Sequence, residues 1–255
     1  MSKLDNALYE IHHMDTLASR DQWLNRIHPL VKLLITIIYI TVTVSFHKYD
    51  LSGVLRMGIY PIILFIIGDI SFKDSIRRLR IILPLVCLVG IFNPFFDHQP
   101  LLQLGSVAVS GGVVSMLTLM IKGIYTVLAA YLLIATTSID NICYSLRLLH
   151  IPVIIVTMVM LTYRYISLLL SEANRVTRAY ELRAPGQKGI HFKVWGSLAG
   201  QMLLRSMDRA SEVYESMCLR GYQGNFTYER SMDFHRKDVL YFIIVIAILG
   251  ILRFI

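Results

Sequence analysis

Long apolar runs separated by short basic stretches are the feature that most restricts the fold of this chain. Of its 255 residues, 55% are hydrophobic and only 16% are charged, whereas soluble domains carry about 25% charged residues. The apolar runs occupy residues 30–46, 51–70, 81–96, 107–136, 151–170 and 239–255. Runs of this length and composition are typical of membrane-spanning helices. The sequence therefore predicts an all-α membrane protein and argues against a soluble globular enzyme.

Basic residues cluster in three places, and these clusters predict the topology. Four of the 25 precede or open the first run, four lie between the second and third runs, and eleven lie within residues 171–238. Basic connectors prefer the cytoplasmic side of a membrane, so an even number of crossings should separate each pair of clusters. If residues 151–170 crossed the membrane, an odd number of crossings would separate the second cluster from the third. We therefore expect that run to lie along the inner leaflet and to continue as a helix into the polar stretch.

The same reasoning divides the chain into four parts. Residues 1–29 form a cytoplasmic N-terminal segment, residues 30–136 hold four transmembrane helices, residues 137–238 form interfacial and cytoplasmic helices, and residues 239–255 form the final transmembrane helix. The prediction is a multi-pass protein of the cytoplasmic membrane with about five crossings, an internal N-terminus and an external C-terminus. Gly111 and Gly112, near the start of the fourth run, predict a helix break or a close helix contact.

The polar stretch contains a weak internal repeat with an offset of 37 residues. The repeat aligns Ala173, Val176, Leu182 and Arg183 with Ala210, Val213, Leu219 and Arg220, and the small residues Ala184 and Gly221 follow the two arginines. Helix-breaking residues come next in both copies, so the pattern predicts two helices that end in Leu-Arg-small.

An arginine near a helix end has two interpretations. A single arginine in a last turn is explained by attraction to the negative end of the helix dipole. Two arginines at matching registers instead favour contact with carboxylates of a partner, because the guanidinium is planar and permanently charged.

Four stretches of the sequence resemble a known family. They are IHPLVKLL at residues 27–34, GIFNPFF at 90–96, ELRAPG at 181–186 and CLRGYQG at 218–224. With them the whole chain resembles the transmembrane T component of energy-coupling factor (ECF) transporters, most closely the cobalt-type, CbiQ-like branch. That family's paired motif reads Ala-Arg-Gly, so the arginines match here at both places and their neighbours match in part.

The resemblance implies a non-catalytic coupling subunit of an ATP-driven importer, with no cofactor of its own. Two ABC-type ATPase subunits would bind the paired ends, one at Leu182, Arg183 and Ala184 and the other at Leu219, Arg220 and Gly221. A separate membrane protein, the S component, would bind the substrate. The branch implies cobalt import for cobalamin biosynthesis, with nickel or a vitamin as alternatives. The net charge of +8 then reflects the cytoplasmic face of a membrane protein, and nucleic acid is not an expected partner.

Two other functional classes are less well supported by the sequence. An intramembrane lipid or isoprenoid transferase needs clustered carboxylates for a divalent cation, and the acidic residues of the polar stretch form no paired aspartate motif. A self-sufficient channel or carrier typically has two matched halves with broken helices. The sequence contains no such pair of matched halves.

Two further features attract a functional interpretation. We interpret His12 and His13 as an ordinary polar pair, because adjacent residues point to different sides of a helix. Lys122, in the middle of the fourth run, is as compatible with a contact inside the bundle as with a side chain that reaches the membrane interface.

Overall fold

The computed structural model describes residues 3–20, 22–68, 84, 88, 90, 100–104, 107–184, 186, 189–224 and 234–254. These residues are helical apart from turns and one antiparallel hairpin, which confirms the predicted all-α membrane class. The third apolar run, residues 81–96, and the basic connector before it lie almost entirely outside the described residues.

The described helices follow the apolar pattern of the sequence. In the part of the chain that the structure describes, the helices Gly111–Thr136 and Val153–Arg183 are long and apolar enough to cross a membrane, and Pro29–Val44 and Leu51–Ile67 are shorter apolar helices. A hairpin of β1 (Pro100–Leu104) and β2 (Val107–Ser110) precedes α6. The helices are α1 (Lys3–Ala18), α2 (Trp23–Arg26), α3 (Pro29–Val44), α4 (Leu51–Met57), α5 (Ile59–Ile67), α6 (Gly111–Thr136), α7 (Ile139–Leu148), α8 (Val153–Arg183), α9 (Phe192–Leu219) and α10 (Arg236–Phe254).

The chain divides into two compact units. The membrane unit comprises Leu17–Ser138 and Met232–Ile255, and the inserted unit comprises Met1–Thr16 and Ile139–Ser231. The chain therefore passes from one unit to the other at three places, after Thr16, Ser138 and Ser231.

The second apolar run is helical from Leu51 to Ile67, but its hydrogen bonding is interrupted at Gly58, where α4 ends and α5 begins. Pro61 has no amide hydrogen and so cannot donate to the Met57 carbonyl four residues earlier. The Tyr39 hydroxyl donates to that carbonyl instead, at 3.0 Å. A Cβ at the intervening Gly58 would lie 2.4 Å from the Tyr125 hydroxyl, so a larger residue there would displace the Tyr125 side chain.

The fourth run differs from its predicted extent at one end. Residues 107–110, expected to be helical, form strand β2, and α6 begins at Gly111. Gly111 and Gly112 thus mark the helix break that the sequence predicted. The fifth run is confirmed to continue as a helix into the polar stretch, because α8 extends without interruption from Val153 to Arg183.

Three helix ends of the membrane unit meet at one group of residues, which we call the polar cluster: His28, Lys32, Thr136 and Asp238. The Lys32 ammonium donates to the Thr136 carbonyl at the C-terminal end of α6, at 2.7 Å. The Asp238 carboxylate accepts from the amides of His28, at 3.1 Å, and His235, at 3.0 Å, which precede α3 and α10. All four residues are buried.

The polar cluster is electrostatically complementary to the helix ends that it joins. A helix carries partial positive charge at its N-terminus and partial negative charge at its C-terminus. Asp238 lies at the N-terminal ends of α3 and α10, and Lys32 lies at the C-terminal end of α6. Opposite charges therefore stabilise three helix ends at the same place.

The other end of α3 is held by cations. The Lys122 ammonium donates to the carbonyls of Val44, at 3.1 Å, and Phe46, at 2.6 Å. The Arg253 guanidinium lies over the Phe46 ring, 4.3 Å from its centroid. Lys122 thus makes contacts within the bundle, which is one of the two alternatives left open by the sequence. Its acceptors are backbone carbonyls rather than an acidic side chain.

Candidate functional site at two helix ends

The two repeat motifs lie on a pair of antiparallel helices in the inserted unit. Glu172 of α8 forms an ion pair with Arg205 of α9, whereas Leu161, earlier in α8, lines the same cavity as Met217, later in α9. The C-terminal end of α9 therefore lies beside the first half of α8. Arg183 follows Leu161 by 22 residues, which at 1.5 Å per helical residue separates the two motifs by about 33 Å.

The first motif ends α8 without a special backbone conformation. Arg183 is the last helical residue, and the Ala184 amide still donates to the Tyr180 carbonyl, at 3.1 Å. Ala184 has a negative φ, −125°, so this helix end does not need the positive φ that favours glycine. Alanine is therefore compatible with the backbone at a position where the related motif has glycine.

The second motif ends α9 in a glycine-dependent turn. Gly221 has a φ of +84°, its amide donates to the Cys218 carbonyl, and the Tyr222 amide donates to the Met217 carbonyl, both at 3.0 Å. These are the two hydrogen bonds of a Schellman motif, which satisfies the last carbonyls of a helix. The second motif thus has glycine after its arginine because φ is positive there, whereas the first motif has alanine because φ is negative.

The leucines before the two arginines are exposed to an unusual degree for apolar side chains. Leu182 is 83% exposed and Leu219 is 88% exposed. Single exposed apolar residues are common on protein surfaces. Here, however, each leucine lies at a helix end beside an arginine, and both lie at equivalent positions of the repeat. A leucine with a neighbouring arginine is suited to a partner groove with an apolar floor and an acidic rim.

A cationic cavity adjoins the second motif. Its volume is about 550 Å³, and its charged lining residues are Arg164, Arg209, Glu212 and Arg220. Arg209 and Glu212 form an ion pair at 3.2 Å, so the lining keeps an excess of positive charge. Arg164 of α8 and Arg220 are 56 residues apart in the sequence and line the same cavity, a proximity that the sequence alone does not indicate.

The histidine pair near the N-terminus lies outside this site. His13 stacks on Tyr9, with ring centroids 6.1 Å apart. Among the residues that the structure describes, no three histidine, cysteine, aspartate or glutamate side chains are close enough together to hold a metal ion.

We expect Gly221→Ala to loosen the end of α9, because a non-glycine residue in the left-handed region costs about 1–2 kcal/mol. No other atom lies within 4 Å of a Cβ at this position, so the effect comes from the backbone alone. Hydrogen exchange of the Tyr222 amide should accelerate by roughly 5- to 30-fold. Gly221→Asn should accelerate it less, since asparagine tolerates this region, and Ala184→Gly is the control at the other motif. Equal exchange in the alanine and asparagine variants would contradict this explanation.

Comparison with known proteins gives one family and several relatives. The model of the family CbiQ, described as a cobalt transport protein, matches residues 20–231. The uncharacterized protein MJ1571 of Methanocaldococcus jannaschii is 22% identical over 239 residues, which cover 90% of this chain and 81% of that protein. The nickel permease LarQ of Lactiplantibacillus plantarum is 27% identical over 105 residues, which cover 41% of this chain and 38% of LarQ.

Proposed function

Because the chain belongs to the CbiQ cobalt transport protein family, we propose that it is the transmembrane coupling subunit of an ATP-driven ECF-type importer. In this role the chain carries no catalytic site. It receives motion from ATPase subunits on the cytoplasmic side and passes it to a separate substrate-binding membrane subunit, the S component. The observation that carries the proposal is the pair of exposed Leu-Arg helix ends.

The geometry of these ends fits two ATPase subunits. Each end offers an apolar side chain and a permanent positive charge, at Leu182 and Arg183 and at Leu219 and Arg220. A domain of about 250 residues has a radius of gyration near 18 Å, so two such domains side by side extend over more than the separation of about 33 Å between the motifs along α8. Each motif can therefore engage a different ATPase.

The polar cluster supports the proposal that the segment between α6 and α10 begins and ends on the same face of the membrane. The C-terminal end of α6 and the N-terminal ends of α3 and α10 meet there. The chain therefore leaves the membrane unit and re-enters it at the same end of the bundle. Any segment that begins and ends on one face of a bilayer crosses it an even number of times. The positions of these helix ends thus support an even number of crossings between α6 and α10, independently of the distribution of charge.

Because the segment between α6 and α10 crosses the membrane an even number of times, a crossing by α8 would need a second crossing by α9. The composition of α9 argues against such a crossing. Its charged residues include Lys193, Arg205, Asp208, Arg209, Glu212 and Glu215, and charged residues at the bilayer centre cost about 2.5–3.5 kcal/mol each. We therefore propose that α8 and α9 both lie on the cytoplasmic side, with the apolar half of α8 along the inner leaflet.

This topology predicts five crossings, with the N-terminus in the cytoplasm and the C-terminus outside. A reporter that is active only in the cytoplasm should be inactive when fused after Ile255 and active when fused before Met1. A cytoplasmic signal from the C-terminal fusion would overturn the topology.

Cobalt is the substrate that we propose for the assembled importer, on the basis of the family description. Nickel is the second candidate, because one relative is a nickel permease. Both are divalent transition-metal ions that nitrogen and sulfur ligands favour. In the proposed importer the S component, rather than this chain, selects between them.

Metal uptake by proteoliposomes tests the proposed function directly. Vesicles that contain this chain, its ATPase subunits and its S component should accumulate labelled cobalt or nickel only when ATP is supplied on the ATPase side. Vesicles that contain this chain alone should accumulate neither ion. Uptake by the chain alone would instead identify a self-sufficient carrier or channel and overturn the proposal.

A further inference from the structure

One short stretch of the membrane unit contacts the chain near all three passages between the units. We call residues 25–32 the entry segment, because they lead into α3. The passages follow Thr16, Ser138 and Ser231. Near each passage, on the membrane-unit side, a hydrogen bond joins the chain to a different residue of the entry segment.

At the first passage, Asn25 holds the end of α1. Its side-chain amide donates to the carbonyls of Leu17, at 3.2 Å, Ala18, at 3.3 Å, and Arg20, at 2.8 Å. The last carbonyls of a helix have no partners within that helix, so a side chain that reaches them fixes the position of the helix end.

At the second and third passages, the contacts belong to the polar cluster. Lys32 donates to Thr136, two residues before the chain leaves the membrane unit at Ser138. Asp238, a few residues after the chain returns, accepts from the His28 amide. The side chains of Lys32 and Asp238 are both buried, each residue being 7% exposed. Because an unpaired buried charge is costly, such contacts do not separate easily.

We propose that the entry segment is the place where displacement of the inserted unit is delivered to the membrane helices, with Asn25, Lys32 and Asp238 as positioning residues. This inference rests on the proposed coupling function. The three contacts link every passage of the chain to the entry segment, which leads into α3. A displacement transmitted along the chain at any passage therefore acts on α3, and through Lys32 and Asp238 on α6 and α10 as well.

The proposal predicts that loss of one of these contacts lowers metal transport but not ATP hydrolysis, so both are measured on the complete complex. Asn25→Leu, Lys32→Met and Asp238→Ala each remove one contact near a passage. We expect ATPase co-purification and ATP hydrolysis to stay within about twofold of the unaltered complex. Metal uptake per ATP hydrolysed should fall roughly tenfold, within the range typical of coupling between sites.

The other end of α3 offers matched controls. Lys122→Met removes a lysine that also caps a helix C-terminus, at Val44 and Phe46. Asp50→Ala removes a carboxylate that also caps a helix N-terminus, through the Gly53 amide at 2.9 Å. Neither residue lies near a passage between the units, so both controls should retain uptake per ATP even where they lower stability. An equal loss in the controls and the entry-segment variants would overturn the proposal.

A cross-link keeps the proposal testable if an entry-segment variant does not fold. In a chain without its native cysteines, Lys32→Cys and Thr136→Cys are joined by a short bifunctional reagent. Because we propose that these two points move together, the cross-linked complex should retain ATP-driven uptake. Blocked uptake after cross-linking would overturn the inference. Failure of the unaltered chain to bind ATPases would instead overturn the proposed function, so the two failures are distinguishable.

Discussion

Replacing both Arg183 and Arg220 with alanine should release the ATPase subunits from the purified complex. Removing one partner of a buried, hydrogen-bonded ion pair costs about 2–5 kcal/mol. The two sites are far enough apart for their effects to add, so the double variant should lose roughly a thousandfold or more in affinity. Each single variant should keep a weaker, one-sided attachment, because the second ATPase contact remains.

The membrane helices should be unaffected by this double replacement, since both arginines are exposed helix-end residues in the inserted unit. Thermal unfolding of the detergent-solubilised chain checks this point. Arg175→Ala is the matched control on α8, because Arg175 is an exposed arginine that forms an ion pair with Glu172, at 2.8 Å, and lies outside both motifs. Co-purification of the double variant at undiminished yield would remove Arg183 and Arg220 from the proposed interface.

Replacing the exposed leucines tests the apolar half of the same contact. Leu182→Asp and Leu219→Asp should each weaken ATPase binding by at least tenfold, because burial of a leucine side chain contributes about 1.5–3 kcal/mol. A carboxylate in an acidic groove would add repulsion. Equilibrium binding of isolated ATPase to the detergent-solubilised chain measures the effect.

The stability of the chain should not fall in either leucine variant, since neither side chain is packed against the rest of the protein. Leu204→Asp is the control, because Leu204 is 64% exposed on α9 but lies outside both motifs. Unchanged ATPase binding in both motif variants would mean that the helix ends do not enter an apolar groove.

The membrane helices could be predicted from the sequence because their signal is local. The first and fourth runs correspond to α3 and α6 within a few residues, apart from strand β2. The helix ends at Arg183 and Leu219 were predictable for the same reason, since breakers follow each motif. The interruption at Gly58 follows from Pro61, whereas the hydrogen bond from Tyr39 to the carbonyl that Pro61 leaves without a partner was not predictable, because it depends on how α3 packs against α4.

The polar cluster could not be recognised from the sequence. Lys32 and Asp238 are 206 residues apart in the chain, and each looks like an ordinary polar residue at the end of an apolar run. Their partners include the backbone amide of His28 and the carbonyl of Thr136, and backbone groups leave no mark in a sequence. Lys122 is a second case, because its acceptors are the carbonyls at the end of α3.

Site-specific photo-cross-linking from the two helix ends tests the central claim most directly. A photoreactive amino acid in place of Leu182 or Leu219 should not disturb folding, because both positions are exposed. In membranes that contain the whole transporter, we expect each position to cross-link to an ATPase subunit. Cross-links to lipid or to proteins on the external side, with none to an ATPase, would contradict the coupling role.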